Sequence, residues 1–563
     1  MKDLYRVLKF FFLLANLIIL LWIIFFNRQD DFLIYFVLLS SIFFSLADII
    51  LSYIEGLSTR NFYFSIMSFV TFILFIFICI IGEKFLFKNE LKILTIKVSF
   101  ITIILMLIVV FLYFIRSFNI GKIFKTRINF KPYAIISMSF LLLILSGSIL
   151  LFLPFSHIKP ISYLDALFTA TSAVCVTGLT VFDVKSTLTL FGQMVLIVLV
   201  QLGGLGLMVF TALFSYLIGE KLSVFERITA QNALSADNLS IIYRFTSFIV
   251  LITLFFEVTG AIVFFLRFKN IFPVYEAIYY SIFHSISAFC NAGFSLFPDS
   301  FMGFRSDIMI NLNLMSLIVI GGIGFSVLYN FYNLLLGRDK NLTLHTKLVL
   351  TTTALLILSG AFVIFLFEYD NQLKNSGLVE KVLASLFASI TPRTAGFNTI
   401  DYSMVKHATL LFTCILMFIG ASPGSTGGGI KTTSFALIVM NTISVLRDKK
   451  LVTAFRREIS FDSIRKSLVV YFLSLTLVIT QTLFILSIQP DFGLARVLFE
   501  VVSAFGTVGL STGITPDLSA LSKVLIITTM FLGRVGTVTV IFSLGLNPKQ
   551  VLSRTPEEKV ITG

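Results

Sequence analysis

Apolar runs long enough to cross a lipid bilayer dominate this chain, and short polar stretches punctuate them. A crossing helix needs roughly 20 apolar residues. Four such spans come first, at about 8–26, 32–54, 62–82 and 94–115. From about residue 132 the pattern changes. Long apolar spans now alternate with less apolar stretches of 12–15 residues, such as SYLDALFTATSAV. These are too short to cross, and they predict re-entrant half-helices. The pattern as a whole predicts an all-α polytopic membrane protein. One stretch inside it is unusual. GASPGSTGGGIK, residues 420–431, puts five glycines and a proline between the apolar run TLLFTCILMFI and a second run reaching about Leu446. Irregular backbone is not tolerated against hydrocarbon, so this stretch must face protein or a water-filled cavity.

Four of the short stretches end alike: TSAVCVTGL, HSISAFCNAGF, SITPRTAGF and VVSAFGTVGL. Aligned, they bring Gly178, Gly293, Gly396 and Gly509 into register, 115, 103 and 113 residues apart. A large apolar residue always follows: Leu179, Phe294, Phe397 or Leu510. Five residues before the glycine stand Ala173, Ala288, Thr391 and Ala504, and six before stand Ser172, Ser287, Ile390 and Ser503. A second glycine mark lies 25, 28, 24 and 24 residues on, as GGLG from Gly203, GGIG from Gly321, the glycine-rich stretch from Gly420 and GRVG from Gly533. Two registers kept over four units define a repeat of helix, half-helix, glycine turn and helix. Its copies span about 132–214, 240–336, 347–446 and 466–546.

Four re-entrant units in one chain suggest pseudo-fourfold symmetry around a shared pore. Glycine accepts backbone angles that other residues resist, so carbonyl oxygens can converge on the axis. A ring of carbonyls can replace the water shell of a cation, and half-helix C-termini add partial negative charge. The alternative use of such a glycine is close helix packing, which does not account for four in register after a half-helix. No acidic ring is needed, and none is present, since Thr177, Ala292, Ala395 and Val508 precede the glycines.

Composition agrees with the class. The 563 residues are 57% hydrophobic and only 13% charged, with a mean hydropathy of +0.99. Water-soluble domains carry about a quarter charged residues. The net charge of +14 reads as the positive-inside rule rather than as nucleic-acid binding. Cys79, Cys175, Cys290 and Cys414 all fall in apolar segments without metal-ligand or CxxC spacing, so neither a disulfide framework nor a metal site is expected. The basic, then apolar, N-terminus reads as a retained helix rather than a cleaved signal. The loop 116–131 carries Arg116, Lys122, Lys125, Arg127 and Lys131 and no acid, and 447–466 carries seven basic residues against three acids. Both belong on the cytoplasmic side, as the repeat requires, and an even number of spans puts both termini there. The segment 83–97, with Lys84, Lys88, Lys92 and Lys97 against two acids, is out of line with that topology.

The stretches SAVCVTGL, SAFCNAGF, TPRTAGFNT, GASPGSTGGGIKTT and SAFGTVGLS, with GRVG at 533–536, resemble the membrane subunit of the Trk/Ktr/HKT potassium-uptake superfamily, of the KtrB type. The resemblance covers about residues 130–563. It implies a potassium pore of four non-identical repeats whose filter comprises Val176, Thr177 and Gly178; Asn291, Ala292 and Gly293; Thr394, Ala395 and Gly396; and Thr507, Val508 and Gly509. It also implies a gate formed by Gly424, Ser425, Thr426, Gly427, Gly428 and Gly429 together with Arg534. Members form homodimers in the cell membrane, and many join a separate cytosolic nucleotide-binding regulatory subunit. A glycine in the first filter repeat goes with potassium and a serine there with sodium, so Gly178 favours potassium. Some systems are sodium-dependent, which keeps sodium as a further candidate. No other bound cofactor is expected. On this reading the chain comprises residues 1–120, four spans beyond the family pattern with no assigned role; the pore domain, 130–546; and a short cytoplasmic tail, 547–563, which the resemblance places at a dimer interface. Asp48, in the second span, reads as a packing or partner residue.

Charge inside a span is costly and usually has a purpose. Glu257 reads as an acid paired internally to lock the bundle, because its helix lies outside the pore lining. Arg393, three residues before Gly396, would repel potassium if it faced the axis, so it is expected to point away and to pair with a carboxylate such as Asp401. Arg534 lies deep in the last helix and reads as part of the inner barrier, holding loop carbonyls. His284 reads as a polar half-helix residue rather than a ligand. A phosphate loop is excluded, because GSTGGGIKTT puts Ile430 between glycine and Lys431 and no strand precedes it. No enzymatic constellation appears. The competing function is an alternating-access cation symporter, marked by inverted repeats and discontinuous helices; these four units share one orientation, which favours a pore.

Overall fold

The computed structural model describes residues 132–206, 239–449 and 451–536. The chain divides into two compact units, 1–130 and 131–563. The first unit lies outside the described residues, and with it the four N-terminal spans, Asp48, Cys79 and most of the basic loop 116–131. The tail after Gly536 lies outside them as well.

The described part is an all-α membrane fold, with a single two-residue β-hairpin pairing Thr453–Ala454 with Arg457–Glu458. The order outer helix, half-helix, inner helix runs through it four times. First come α1 (Pro132–Phe152), α2 (Tyr163–Val174) and α3 (Leu190–Leu205). Next are α4 (Leu239–Phe268), α5 (Val274–Phe289) and the pair α6 (Ile308–Gly322) and α7 (Phe325–Leu335). Then follow α8 (Leu344–Glu368), α9 (Leu378–Ile390), α10 (His407–Phe418) and α11 (Thr432–Leu446). Last are α12 (Phe461–Ile488), α13 (Leu494–Gly506) and α14 (Ala520–Val535).

Length separates the two kinds of helix. The half-helices α2, α5, α9 and α13 have 12, 16, 13 and 13 residues. At about 1.5 Å per residue they reach roughly 18–24 Å, short of a hydrocarbon core about 30 Å thick. The outer helices α4, α8 and α12 are long and apolar enough to cross. Their outer faces expose Leu254, Phe255 and Val258, then Leu355, Leu358 and Phe362, then Phe472, Ile479 and Leu483. In a membrane these side chains meet acyl chains, so exposure costs nothing. The core lies where the half-helices converge: Phe168, Phe283, Phe289, Phe387 and Phe499 are fully enclosed there, beside Phe294 and Phe397 from the turns that follow.

Side-chain caps start several helices sharply. Ser162 accepts from the Asp165 N–H, Thr189 from Gly192, Asp307 from Ile310, Thr343 from Thr346 and Ser519 from Ser522. Each satisfies one of the free N–H groups of a first turn. The second glycine marks of the repeat stand at helix ends. α3 stops at Gly206, with φ +77°, and α6 and α7 meet at Gly324, with φ +97°, bent by 95°. α14 stops at Gly536, with φ +93°. The interruption of the third inner helix by residues 419–431 falls at the same register as these glycines.

Candidate functional site

The four aligned glycines meet. A Cβ built on Gly178 would lie 2.5 Å from the Ala292 carbonyl oxygen; on Gly293, 3.0 Å from that of Ala395; on Gly396, 2.2 Å from that of Val508; and on Gly509, 2.2 Å from that of Thr177. Each glycine therefore abuts the carbonyl before the next repeat's glycine, and the fourth closes back on the first. The same built atoms approach the neighbouring glycine Cα atoms at 2.9–3.2 Å. Any side chain here would force the ring apart. The φ angles of +89°, +69°, +77° and +93° forbid one independently. Two residues earlier, Val176, Asn291, Thr394 and Thr507 also take positive φ, of 57°, 58°, 74° and 51°. The four turns thus share one backbone path, which their side chains alone do not reveal.

Residues six before the glycines hold that path. Ser172 Oγ accepts the Gly178 N–H at 3.0 Å, and Ser503 Oγ accepts the Gly509 N–H at 3.1 Å. Ser287 Oγ donates to the Phe294 carbonyl at 2.8 Å. The third repeat has Ile390 at this position, and there Thr391 Oγ1, one residue later, donates to the equivalent Phe397 carbonyl. The backbone shifts with it. Thr177, Ala292 and Val508 donate to the carbonyl five residues back, at 2.7, 2.8 and 2.9 Å, whereas Ala395 donates four back, to Thr391, at 3.0 Å. All four half-helices point their C-terminal, partially negative ends toward the ring.

The stretch 420–431 lies against the inner side of the ring. Gly428 N–H donates to Thr507 Oγ1 at 2.9 Å. A Cβ on Gly427 would meet Thr394 Oγ1 at 2.0 Å. On the other flank, Thr426 Oγ1 bonds the Gly321 carbonyl at 3.2 Å, Ser422 N–H the Gly322 carbonyl at 3.0 Å, and Phe325 N–H the Gly424 carbonyl at 2.8 Å. Gly424 and Ser425 therefore sit beside the α6–α7 bend, while Thr426, Gly427 and Gly428 lie buried below the ring, followed by Gly429 with φ +68°. Arg534 spans two repeats. One guanidinium nitrogen donates to the Thr426 carbonyl, and the other to the carbonyls of Gly203 and, at 3.3 Å, Gly204 on α3. Lys431 adds a second cation, its Nζ donating to the Gly427 carbonyl at 2.8 Å. Read only as the failed lysine of a phosphate loop, it gave no sequence signal of this contact.

Among the remaining charged residues, one expectation fails. Arg393 is buried but pairs with no carboxylate among the described residues. Its guanidinium donates to Thr353 Oγ1 on α8 at 3.2 Å, and Nε has no partner there. Asp401 instead binds its own turn, accepting from Ser403 N and Oγ at 2.9 and 2.7 Å. Spacing along the chain does not fix where a side chain points, so it did not give this partner. Glu257 is buried and does pair internally, facing Cys290 Sγ at 3.9 Å. His284 is fully buried and bonded to backbone. The sequence reading passed over two buried acids. Glu500, a lone acid in VLFEVVSAF, accepts from Ser511 Oγ at 2.9 Å and from Thr515 Oγ1. Glu368 ends α8, accepting from Lys406 N–H at 3.0 Å and Thr409 Oγ1 at 2.5 Å. No group of three or more metal-ligating side chains gathers among the described residues. The four glycines bring backbone and no carboxylate to the ring.

Known proteins share this arrangement of sequence. A family model described as TrkH, cation transport protein, matches residues 114–551. The Ktr system potassium uptake protein B of Bacillus subtilis (strain 168) is 40% identical over 438 residues, covering 77% of this chain and 98% of that one. The potassium/sodium uptake protein NtpJ of Enterococcus hirae is 37% identical over 449 residues, covering 78% and 99%. The crystal structure of the potassium transporter TrkH from Vibrio parahaemolyticus has the same fold, with a TM-score of 0.60 at 18% identity over 84% of this chain and 95% of that one.

Proposed function

The chain belongs to the TrkH family of cation transport proteins, and from that premise we propose that it carries potassium across the cell membrane through a gated, channel-like pore. The ring of Gly178, Gly293, Gly396 and Gly509 is its selectivity filter, and residues 424–429 with Arg534 are its inner gate. The closed cycle of glycine-to-carbonyl contacts carries this reading. Four backbone turns of one shape, offering oxygens and no carboxylate, suit an ion that must shed its water and leave again quickly. The buried loop against the inner face of that ring, pinned from two repeats by one arginine, supports a barrier directly in the path. The named relatives act on potassium, which supports potassium as the ion carried. Both termini lie on the cytoplasmic side. The protein works as a homodimer, and nucleotide control comes from a separate cytosolic subunit.

A second reading draws on the potassium/sodium name of the Enterococcus hirae relative: coupled, alternating-access uptake of both ions. Rate separates the two. Alternating cycles run near about 1–10³ per second, and a pore exceeds that by orders of magnitude.

The test is flux of potassium and sodium into liposomes holding the purified chain, compared with Gly178→Ser. The new Cβ would fall 2.5 Å from the Ala292 oxygen, at a φ of +89°, so the first repeat must retreat from the ring. Potassium preference should fall by about tenfold or more, the equivalent of about 1–3 kcal/mol of backbone strain transferred to the site. An unchanged preference rejects the filter.

A further inference from the structure

What holds the four glycine turns in place lies behind them. Nine positions before each filter glycine stand Thr169, His284, Phe387 and Glu500. Two of these reach forward and hold the chain that leaves the glycine. His284 Nε2 accepts the Leu296 N–H at 3.2 Å, with Ser295 Oγ at the same distance. Because that nitrogen accepts, Nδ1 carries the proton and donates to the Tyr280 carbonyl at 2.7 Å. The ring stacks on Phe297 with centroids 4.6 Å apart. Glu500 does the equivalent work in the fourth repeat, accepting from Ser511 Oγ at 2.9 Å and from Thr515 Oγ1. Ser295 and Ser511 hold the same register, two residues after Gly293 and Gly509. Both clamping side chains are buried, at 0% and 1% exposure.

The other two repeats lack the device. Thr169 Oγ1 has no partner among the described residues, and Phe387 has no polar atom to offer. The third repeat leans on the second instead: Asn398 N–H donates to Ser300 Oγ at 3.2 Å, and Phe301 N–H to the Asn398 carbonyl at 3.1 Å. The His284 clamp therefore steadies two repeats. Contacts around the ring run Gly178, Gly293, Gly396, Gly509 and back, so the two clamped repeats face each other across the axis.

We propose that His284 and Glu500 are positioning residues that set the width of the ring from opposite sides, and so set the discrimination among alkali cations. This rests on the reading of the ring as the selectivity filter. Neither side chain touches the ion. Each acts through the strand it holds, and its loss lets the glycine turn relax outward, which favours a smaller or more hydrated cation over potassium.

The experiment uses the full purified chain in liposomes, with potassium, rubidium and sodium uptake read from one preparation. His284→Phe keeps the ring stacking and removes the hydrogen bonds. Glu500→Met keeps the bulk and removes the acceptors. Each should lower the potassium-to-sodium ratio about fivefold, the worth of roughly one net hydrogen bond. Glu500→Gln keeps an acceptor oxygen and should restore the ratio to within about twofold of wild type, since the clamp needs a hydrogen bond rather than a charge. Thr169→Val, at the same register without a clamp, should leave it unchanged. The milder Ser295→Ala trims the clamped partner alone, and it should lower the ratio in the same direction even if the two larger changes fail to insert. Wild-type ratios in His284→Phe, Glu500→Met and Ser295→Ala, where Gly178→Ser abolishes the preference, overturn the clamp and leave the filter standing. A wild-type chain without potassium preference removes the filter itself.

Discussion

Arg534 offers the sharpest test of the barrier. Its guanidinium joins the last helix to the Thr426 carbonyl of the loop and to the Gly203 and Gly204 carbonyls of α3. Arg534→Ala removes all of these bonds and the only side chain that ties that loop to the first repeat among the described residues. Hydrogen bonds to charged groups contribute about 1.5–3 kcal/mol each. Water can replace them in a cavity, so the low end applies, and two such bonds sum to about 3 kcal/mol. At about 1.4 kcal/mol per tenfold, a closed state favoured by about 100 to 1 then becomes roughly even with the open one. Potassium leak from liposomes, without any regulatory partner, should rise by about one to two orders of magnitude. Arg534→Lys should fall between, because an ammonium is a point charge without the planar fork that reaches both repeats. Lys431→Gln should raise leak less, since Lys431 holds the loop to itself through the Gly427 carbonyl. The potassium-to-sodium ratio should not move, because Arg534 bonds no filter residue. Unchanged leak refutes the barrier role, and a leak that abolishes selectivity puts Arg534 in the filter instead.

Further outcomes follow from charges elsewhere. Among the described residues Arg393 has only Thr353 Oγ1 as a side-chain partner, so Arg393→Asp combined with Asp401→Arg should fail to rescue uptake. Arg393→Met should cost little in thermal stability, because replacing a buried, unpaired cation by an apolar chain of similar length removes a desolvation cost. Restored uptake in the double swap would contradict the geometry. Lys523 of α14 pairs with Asp165 of α2 at 2.8 Å, joining the fourth repeat to the first. Burial pushes the Asp165 carboxyl up, but the Lys523 and Ser162 bonds outweigh it and hold it below the usual carboxylate range. A depressed folded value means the bridge stabilises above the unfolded carboxyl's range and is lost as pH falls through the folded value, below about pH 4. The pair is partly exposed and screened, so it contributes at most about 0.5–1 kcal/mol. Thermal melts between pH 7 and pH 3 should converge for wild type and Asp165→Asn at the acid end. A constant gap down to pH 3 would contradict the pairing.

The departure at Ile390 shows how a neighbouring side chain can supply a missing hydroxyl. The third repeat lacks the serine found at this position in the other three, and its Phe397 carbonyl receives a hydroxyl from Thr391 one position along, as the Phe294 carbonyl does from Ser287. The backbone differs there too, with Ala395 donating four residues back rather than five. Arg393, in the same turn, reaches Thr353 on α8 rather than Asp401.

Sequence alone determined the features that depend on local chemistry. Apolar run length separated crossing helices from half-helices, because a bilayer sets the length of a span. The repeated glycines marked the turns, because glycine adopts positive φ without the steric cost other residues meet. The place of Arg534 at the depth of the loop followed from the offset between the two glycine marks. Tertiary structure decided what distant segments do to one another. It set the order of the glycines around the ring and the closure of Gly509 on the Thr177 carbonyl, the choice of Gly203 and Thr426 as partners of Arg534, and the absence of a carboxylate for Arg393 among the described residues. It also revealed that GGIG breaks its helix, with the Pro423 carbonyl of the loop packed against Gly324 at the bend. Propensity and hydropathy act over a few turns of chain. Arg534 finds its carbonyl partners 108 and 331 residues away, and packing alone selects them.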